Sequence, residues 1–171
     1  MTIWVTSDTH FNNENIILYN NRTFADVQEM NSSLMDRWNS NVKPLDFVYH
    51  LGSFGAGTVD DLMNILCHLN GYVTLIRSNS DIDLQSSTKS GFTCVANELV
   101  LQYKSWEFKM THQPRCDLIY DENNHGLINL HGNTNSRNRV VKNRINVSTD
   151  AWDFTPITLD DVLMEYRKKR K

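Results

Sequence analysis

The first half of this sequence alternates short apolar runs with helical periods, and that alternation restricts the fold more than any other feature. Ile3 to Thr6 reads as a buried strand that stops at Ser7-Asp8. Phe24 to Asn39 follows a helical period, with Val27, Leu34 and Trp38 on one face. Pro44 breaks the chain before a second apolar run, Phe47 to Leu51, which ends at Gly52-Ser53. Thr58-Val59-Asp60-Asp61 has the form of a capping box with Asp in place of the usual Glu. Behind it, Leu62, Ile65, Leu66 and Leu69 make an apolar helix face that Gly71 ends. Tyr72 to Ile76 is a third strand, running out at Arg77-Ser78-Asn79. Strand, helix, strand, helix, strand implies a parallel sheet with crossover helices.

The second half changes character. Thr93 to Val95, Leu99 to Leu101, Glu107 to Met110, Leu127 to Leu130 and Asn143 to Val147 read as successive strands. Thr158-Leu159-Asp160-Asp161 opens a C-terminal helix through Tyr166, and the basic end from Arg167 to Lys171 reads as a frayed tail. The expected fold is an α/β sandwich: two mixed β-sheets facing each other, flanked by α-helices. The 171 residues suffice for one domain with a core, so residues 1–171 are expected to form a single unit.

Composition excludes several function classes. A net charge of -3 gives no global basic excess, which argues against a partner as large and acidic as a long nucleic acid. No apolar run approaches the roughly 20 residues that cross a bilayer, so no membrane partner is expected. Thr2 to Val5 enters a strand directly, without a basic segment and a long apolar stretch, so no secretory leader is expected. Cys67, Cys94 and Cys116 are odd in number and lack CxxC spacing. They read as reduced, mostly buried thiols of a cytoplasmic protein, in a bacterial or an infected host cell.

Four polar blocks stand where strands end: Ser7-Asp8-Thr9-His10, Leu51-Gly52-Ser53-Phe54, Ser78-Asn79-Ser80-Asp81 and His131-Gly132-Asn133-Thr134-Asn135. Thr111-His112-Gln113-Pro114 lies between the third and fourth. In open α/β sheets, ligands bind beyond the carboxyl ends of strands. The ordered series, over nearly the whole chain, resembles the calcineurin-like metallophosphoesterases of the small bacterial and phage type. In those proteins the same places read D-x-H, G-D, G-N-H-D and G-H-T-H. Asn146 to Phe154 also resembles the end of the small members.

The resemblance implies a site for two metal ions with a bridging hydroxide that attacks phosphorus. Position by position, Asp8 and His10 match ligands of the first ion, and Asn79 and His112 match ligands of the second. Ser53 stands in place of the bridging aspartate. Asn133 and Asn135 stand in place of two histidine ligands, and Ser80 in place of the catalytic histidine. Neither serine nor amide side chains bind transition metals as carboxylate and imidazole do. The resemblance therefore implies a dismantled centre, with no cofactor; the alternative is Mn or another divalent cation, weakly bound by Asp8, His10, Asn79 and His112.

The replacements are small, polar and uncharged, and can hydrogen-bond phosphate, ribose or base edges without a metal. Arg77, Arg115 and Arg137 follow or precede the blocks, with Arg139, Lys142 and Arg144 beyond; guanidinium matches phosphate geometry. Phe11, next to His10, is the candidate aromatic for stacking. The expected activity is binding and sequestration of a phosphate-containing, nucleotide-like small molecule without cleavage. Because small members occur in phage genomes, a sponge for a host signalling nucleotide is one implied role. The competing readings are an active metal-dependent phosphodiesterase or phosphatase with an unusual site, and a protein-interaction module, as in a retromer subunit of this fold. The sequence leaves homo-oligomerisation open. Bland structural readings stand beside these: His50, His68, His125 and His131 as core, surface or framework residues, and Trp4, Trp38, Trp106 and Trp152 as core.

Overall fold

The computed structural model describes residues 1–81, 91–117, 127–134 and 137–169. Strands β1 (Ile3–Thr6), β2 (Phe47–His50), β3 (Tyr72–Ile76) and β4 (Cys94–Ala96) run parallel, in that order, and β10 (Ile157–Thr158) adds antiparallel beside β1. The second sheet has the order β5 (Glu98–Tyr103), β6 (Trp106–Thr111), β7 (Leu127–His131), β9 (Arg144–Asn146), β8 (Val140–Val141). Its central strands β6, β7 and β9 are parallel and its edges antiparallel. The crossovers of the first sheet contain α1 (Asn15–Tyr19), α2 (Val27–Asn41) and α3 (Val59–Leu66), and the described chain closes with α4 (Leu159–Lys168).

Side-chain alternation along the strands sets the layers. Val5, Leu51 and Ile76 of the first sheet's inner face meet Phe108, Met110, Ile128, Leu130 and Ile145 of the second. Leu159, Val162, Leu163 and Tyr166 of α4 close one side of that core. Val48, Val73 and Leu75 point the other way, onto Met30, Leu34 and Trp38 of α2 and Leu62, Ile65 and Leu66 of α3. The structure is thus helices over a mixed sheet over a second mixed sheet. Among the described residues no helix covers the outer face of the second sheet. That face carries Glu98, Lys109 and Arg115 in mutual ion pairs instead.

The capping signals act as expected. Thr58 and Thr158 each head a helix with a reciprocal capping box, using Asp61 and Asp161. The expected helix stop at Gly71 is corrected: α3 ends at Leu66, with Leu69 beyond it, and Gly71, at φ +97, turns the chain where a Cβ would press on the Asp46 carbonyl and Val42. Two other expectations fail. Cys67, Cys94 and Cys116 are exposed free thiols rather than buried ones, because they sit at a helix end, on the edge strand β4 and in a loop. Arg167 and Lys168 continue α4 rather than fraying, and Lys169 donates to the Val140 carbonyl at 2.7 Å.

Where the parallel strands end, their backbone groups leave the ladder and need new partners. Two buried charged side chains supply them. Asp81 accepts from the amides of Ser53 (2.8 Å), Phe54 (3.0 Å) and Ser78 (2.8 Å) and from the Ser78 hydroxyl (2.6 Å). Arg22 donates to the carbonyls of Asp8 (2.7 Å) and Thr9 (2.8 Å) and grips the Asp150 carboxylate at 3.0 and 2.8 Å. His50 makes a third tie. The Thr9 hydroxyl gives its proton to the Phe54 carbonyl, so it accepts from His50 Nε2–H at 2.9 Å. The bare Nδ1 is buried without a partner among the described residues, and burial holds the imidazole pKa down at about 3.

Two outcomes follow from these ties. Asp81→Asn strands backbone amides, and Arg22→Met strips the donor from the Asp8 and Thr9 carbonyls and leaves Asp150 with the Asn20 amide alone; each variant is expected to lose about 3 kcal/mol or more in urea unfolding. A loss under about 1 kcal/mol for either shows that the loops hold themselves. His50 stays neutral in the folded state while the unfolded chain binds its proton near pH 6.5. Its contribution is therefore complete above pH 6.5 and shrinks as pH falls, by up to about 1.4 kcal/mol per pH unit. His50→Gln is expected to flatten the stability profile between about pH 6.5 and 5; an unchanged slope there refutes the assignment.

Candidate functional site

The ends of β1, β2 and β3 meet the ends of β6 and β7 along one edge of the sandwich. Asp8 (φ +57), His10 (φ +54), Ser53 (φ +54) and Asn133 (φ +49) all adopt left-handed backbone there, as does Gly52. Each non-glycine residue in that region costs about 1 kcal/mol or more, and such residues gather at functional sites. The turns lock onto one another: Asp8 N–H donates to the Gly52 carbonyl (2.9 Å), His10 N–H to Ser53 (3.0 Å) and Gly132 N–H to His112 (2.9 Å). A Cβ on Gly132 would collide with Asp8 Oδ2 and Ser7 Oγ, and one on Gly52 would sit 2.6 Å from His112 Nδ1. Only glycine lets the two sheets approach this closely.

Asp8 Oδ2 accepts from the Ser7 hydroxyl at 2.7 Å and from Asn133 N–H at 3.0 Å. Burial nevertheless raises its pKa, with the Ser7 hydrogen bond opposing. Its other oxygen, Oδ1, faces His10 Nε2 at 4.0 Å. Burial and the Arg22 charge lower the His10 pKa to about 4, so that imidazole is neutral at pH 7. His112 Nδ1 lies 2.7 Å from the Leu51 carbonyl. It must donate to that oxygen. Ser78 Oγ is the hub of a hydroxyl chain. It donates to Asp81 and so accepts from Ser80 Oγ at 2.7 Å and, more weakly, from Ser53 Oγ at 3.4 Å.

Three cavities run along this edge. A central one of about 190 Å³ is lined by Ser53, Asn79, Ser80, His112, Gln113 and Asn133, with Ser78 at its base. Beside it, about 400 Å³ opens between Arg77, Asn97, Glu98 and Arg115, and Ser78, Asn79, His112 and Gln113 wall both spaces. On the other side, about 260 Å³ lies between His10, Asn13, Gly55, Val59 and Leu62, sharing Ser80 with the centre. A cavity of about 440 Å³ beside Lys104, Asp160 and Met164 lies elsewhere, on α4, and touches none of the strand-end blocks.

The sequence-derived residues divide accordingly. Ser53, Asn79, Ser80, His112 and Asn133 line the centre, His10 one flank, and Arg77 and Arg115 the other, while Asp8 lies buried behind. Phe11 is corrected: it is fully buried, with its ring 5.3 Å from that of Phe54, because its backbone pairs with the Gly55 segment and turns the side chain into the helix layer. Arg137 is exposed and lines none of the three cavities. Arg139 stacks over Trp152 at 4.1 Å and Arg144 donates to Cys116 Sγ, so neither guanidinium is free for the site. Asn135 and His125 lie outside the described residues. Ser78, Asp81, Asn13 and Arg22 went unnamed among the expected site residues. Asp81 stood inside a quoted block; nothing local marks Arg22, whose partner Asp150 is 128 residues away.

A dinuclear metal centre does not fit these side chains. Among the described residues no group of three or more His, Cys, Asp or Glu side chains is placed to hold an ion. Ser53, which the sequence resemblance sets in the bridging place, carries a hydroxyl 3.4 Å from Ser78 Oγ. No helix of the described residues is long and apolar enough to cross a membrane.

No family model matches the sequence. The crystal structure of AQ665 from Aquifex aeolicus, a protein of unknown function, superposes with a TM-score of 0.76 at 23% identity, over 94% of this chain and 97% of that one, and shows the fold. A novel archaeal phosphodiesterase reaches a TM-score of 0.48 at 15% identity, over 86% of this chain and 82% of its own. Uncharacterized protein MJ1445 of Methanocaldococcus jannaschii is 34% identical over 167 residues, covering 92% of this chain and 87% of that protein. The chain belongs to the family of MJ1445.

Proposed function

We propose that this protein binds a phosphate-containing, nucleotide-like small molecule and releases it unchanged, on a calcineurin-like phosphoesterase framework that has lost its dinuclear centre. One observation carries this reading. The central cavity is lined by the hydroxyls of Ser53 and Ser80, the amides of Asn79, Gln113 and Asn133 and the imidazole of His112, with no carboxylate among its lining residues. Such a surface offers neutral donors and acceptors to an anion and has no charge to repel it. Asp8, the carboxylate behind it, is already engaged by Ser7 and Asn133. Asp81 is engaged by four donors. Binding without turnover amounts to sequestration, and a signalling nucleotide is the ligand class for which that has a use.

One distance favours a second reading. Asp8 Oδ1 and His10 Nε2 lie 4.0 Å apart, close enough for one divalent cation to touch both, and neutral His10 has a lone pair to give. On that reading the protein is a one-metal phosphodiesterase, and Asp8→Ala abolishes a metal-dependent turnover.

The two readings separate in one preparation. After incubation with excess Mn²⁺ and desalting, elemental mass spectrometry is expected to find near zero manganese per chain. Nucleotide released by heat from the protein is expected to be chemically intact by chromatography. Retained metal together with cleaved product overturns the proposal in favour of the hydrolase. Restoring a carboxylate supplies the converse: Ser53→Asp, at a left-handed position Asp tolerates, is expected to raise Mn²⁺ uptake at least tenfold over the parent. Uptake no greater than the parent's shows that position 53 is not a ligand position.

A further inference from the structure

We propose that the ligand is a nucleoside 5′-diphosphate, held lengthwise: base in the cavity beside His10, Asn13 and Val59, first phosphate in the hydroxyl-and-amide centre, second phosphate on Arg77. This rests on the phosphate-binding reading of the central cavity and goes beyond it in naming the ligand class and its direction. The three cavities adjoin, since Ser80 lines the first and second and Ser78, Asn79, His112 and Gln113 line the second and third. Their chemistry is graded. On the Gly55 side, Val59 and Leu62 give an apolar wall, the His10 ring is uncharged, and the Asn13 amide can read a polar edge. No cation lines that side, and Asp60 and Asp61 in the first turn of α3 stand next to it. The Asp60 and Asp61 carboxylates already occupy the positive end of α3 and oppose a further anion there, while the uncharged lining admits a base.

The opposite end is cationic. Arg77 projects from the end of β3, and its Nε is buried without a hydrogen-bond partner among the described residues. That Nε is closed to a ligand, so a phosphate contact falls to the rest of the guanidinium, whose planar N–H pairs match phosphate geometry. The neighbouring Arg115 is not equivalent, because its guanidinium is held by Asp117 at 2.6 Å and Glu98 at 3.2 Å. Glu98, the carboxylate lining this cavity, is in turn offset by Lys109 at 3.0 Å as well as by Arg115. A nucleoside monophosphate spans the uncharged side and the centre but leaves Arg77 as it is; a second phosphate reaches it.

The test is calorimetric titration of the full chain, in chelator, with the four ribonucleoside 5′-monophosphates, their 5′-diphosphates and inorganic pyrophosphate. For at least one base the diphosphate is expected to bind tenfold or more tighter than the monophosphate, equivalent to about 1.4 kcal/mol. Arg77→Gln is expected to erase that difference while leaving monophosphate affinity within twofold, and Arg77→Lys to restore part of it. Equal affinity of mono- and diphosphate in the unaltered protein overturns the Arg77 subsite without any variant. Pyrophosphate as tight as the diphosphate overturns the base subsite. Absence of binding by every phosphate compound overturns this inference together with the reading beneath it, whereas a diphosphate advantage that survives Arg77→Gln overturns this inference alone.

Discussion

Backbone satisfaction at the strand ends is the constraint on which the rest of this structure depends. A parallel sheet presents its loops at one edge, and loops that turn sharply leave both amides and carbonyls unpaired. Here the two kinds are served by two different buried charges. The Asp81 carboxylate collects the amides of the β2 and β3 loops. The Arg22 guanidinium collects the carbonyls of the β1 loop and ties them to Asp150 in the segment after β9. A bridge between Ser7 and Ser148 completes the link from the first sheet to the second. The site edge is therefore held by residues that lie beneath the cavities.

That division separates framework from chemistry. None of Asp81, Arg22 and Asp150 lines the central cavity, and the side chains of Asn79, Gln113 and Asn133 that do line it make no described hydrogen bond within the protein. Position 53 is held through its backbone, with its amide on Asp81 and its carbonyl on His10 N–H. The side chain there can change from a carboxylate to a hydroxyl without releasing the loop. A fold whose strand ends are closed by its own protein groups does not depend on a metal ion to stay closed. This is the physical basis on which ligand residues can be exchanged while the framework persists.

Much of the framework is legible from period and punctuation. The strand runs and both capping boxes are local effects, set within a few residues, and they reappear where expected, whereas α3 ends at Leu66, short of the stop expected at Gly71. The short α1, β8 and β10 leave no clear period, and their pairing is supplied by distant partners such as Val5 with Ile157. The polar blocks place most of the site because strand ends of one sheet share an edge. What sequence does not reveal is direction. Phe11 and His10 are neighbours, yet one ring is in the core and the other on a cavity wall, because a left-handed residue between the strand and the bridge rotates the chain. Arg22 and Asp150, far apart in sequence, are equally invisible until the sheets are assembled.

The structure also ranks the unusual residues as clues. Asn133 sits at φ +49, a conformation in which asparagine is among the least strained side chains. Its identity has a backbone explanation and says less about ligand. Ser53 is left-handed too, but serine has no comparable preference there, and its hydroxyl makes only a long contact with Ser78. Asn79 and Ser80 lie in a short 3₁₀ turn that demands neither residue. Backbone geometry therefore accounts for one of the four, while Ser53, Asn79 and Ser80 line the central cavity for no conformational reason. Ser53 and Ser80, the two of these that depart from the pattern the sequence resembles, are where the case for a rebuilt pocket is strongest.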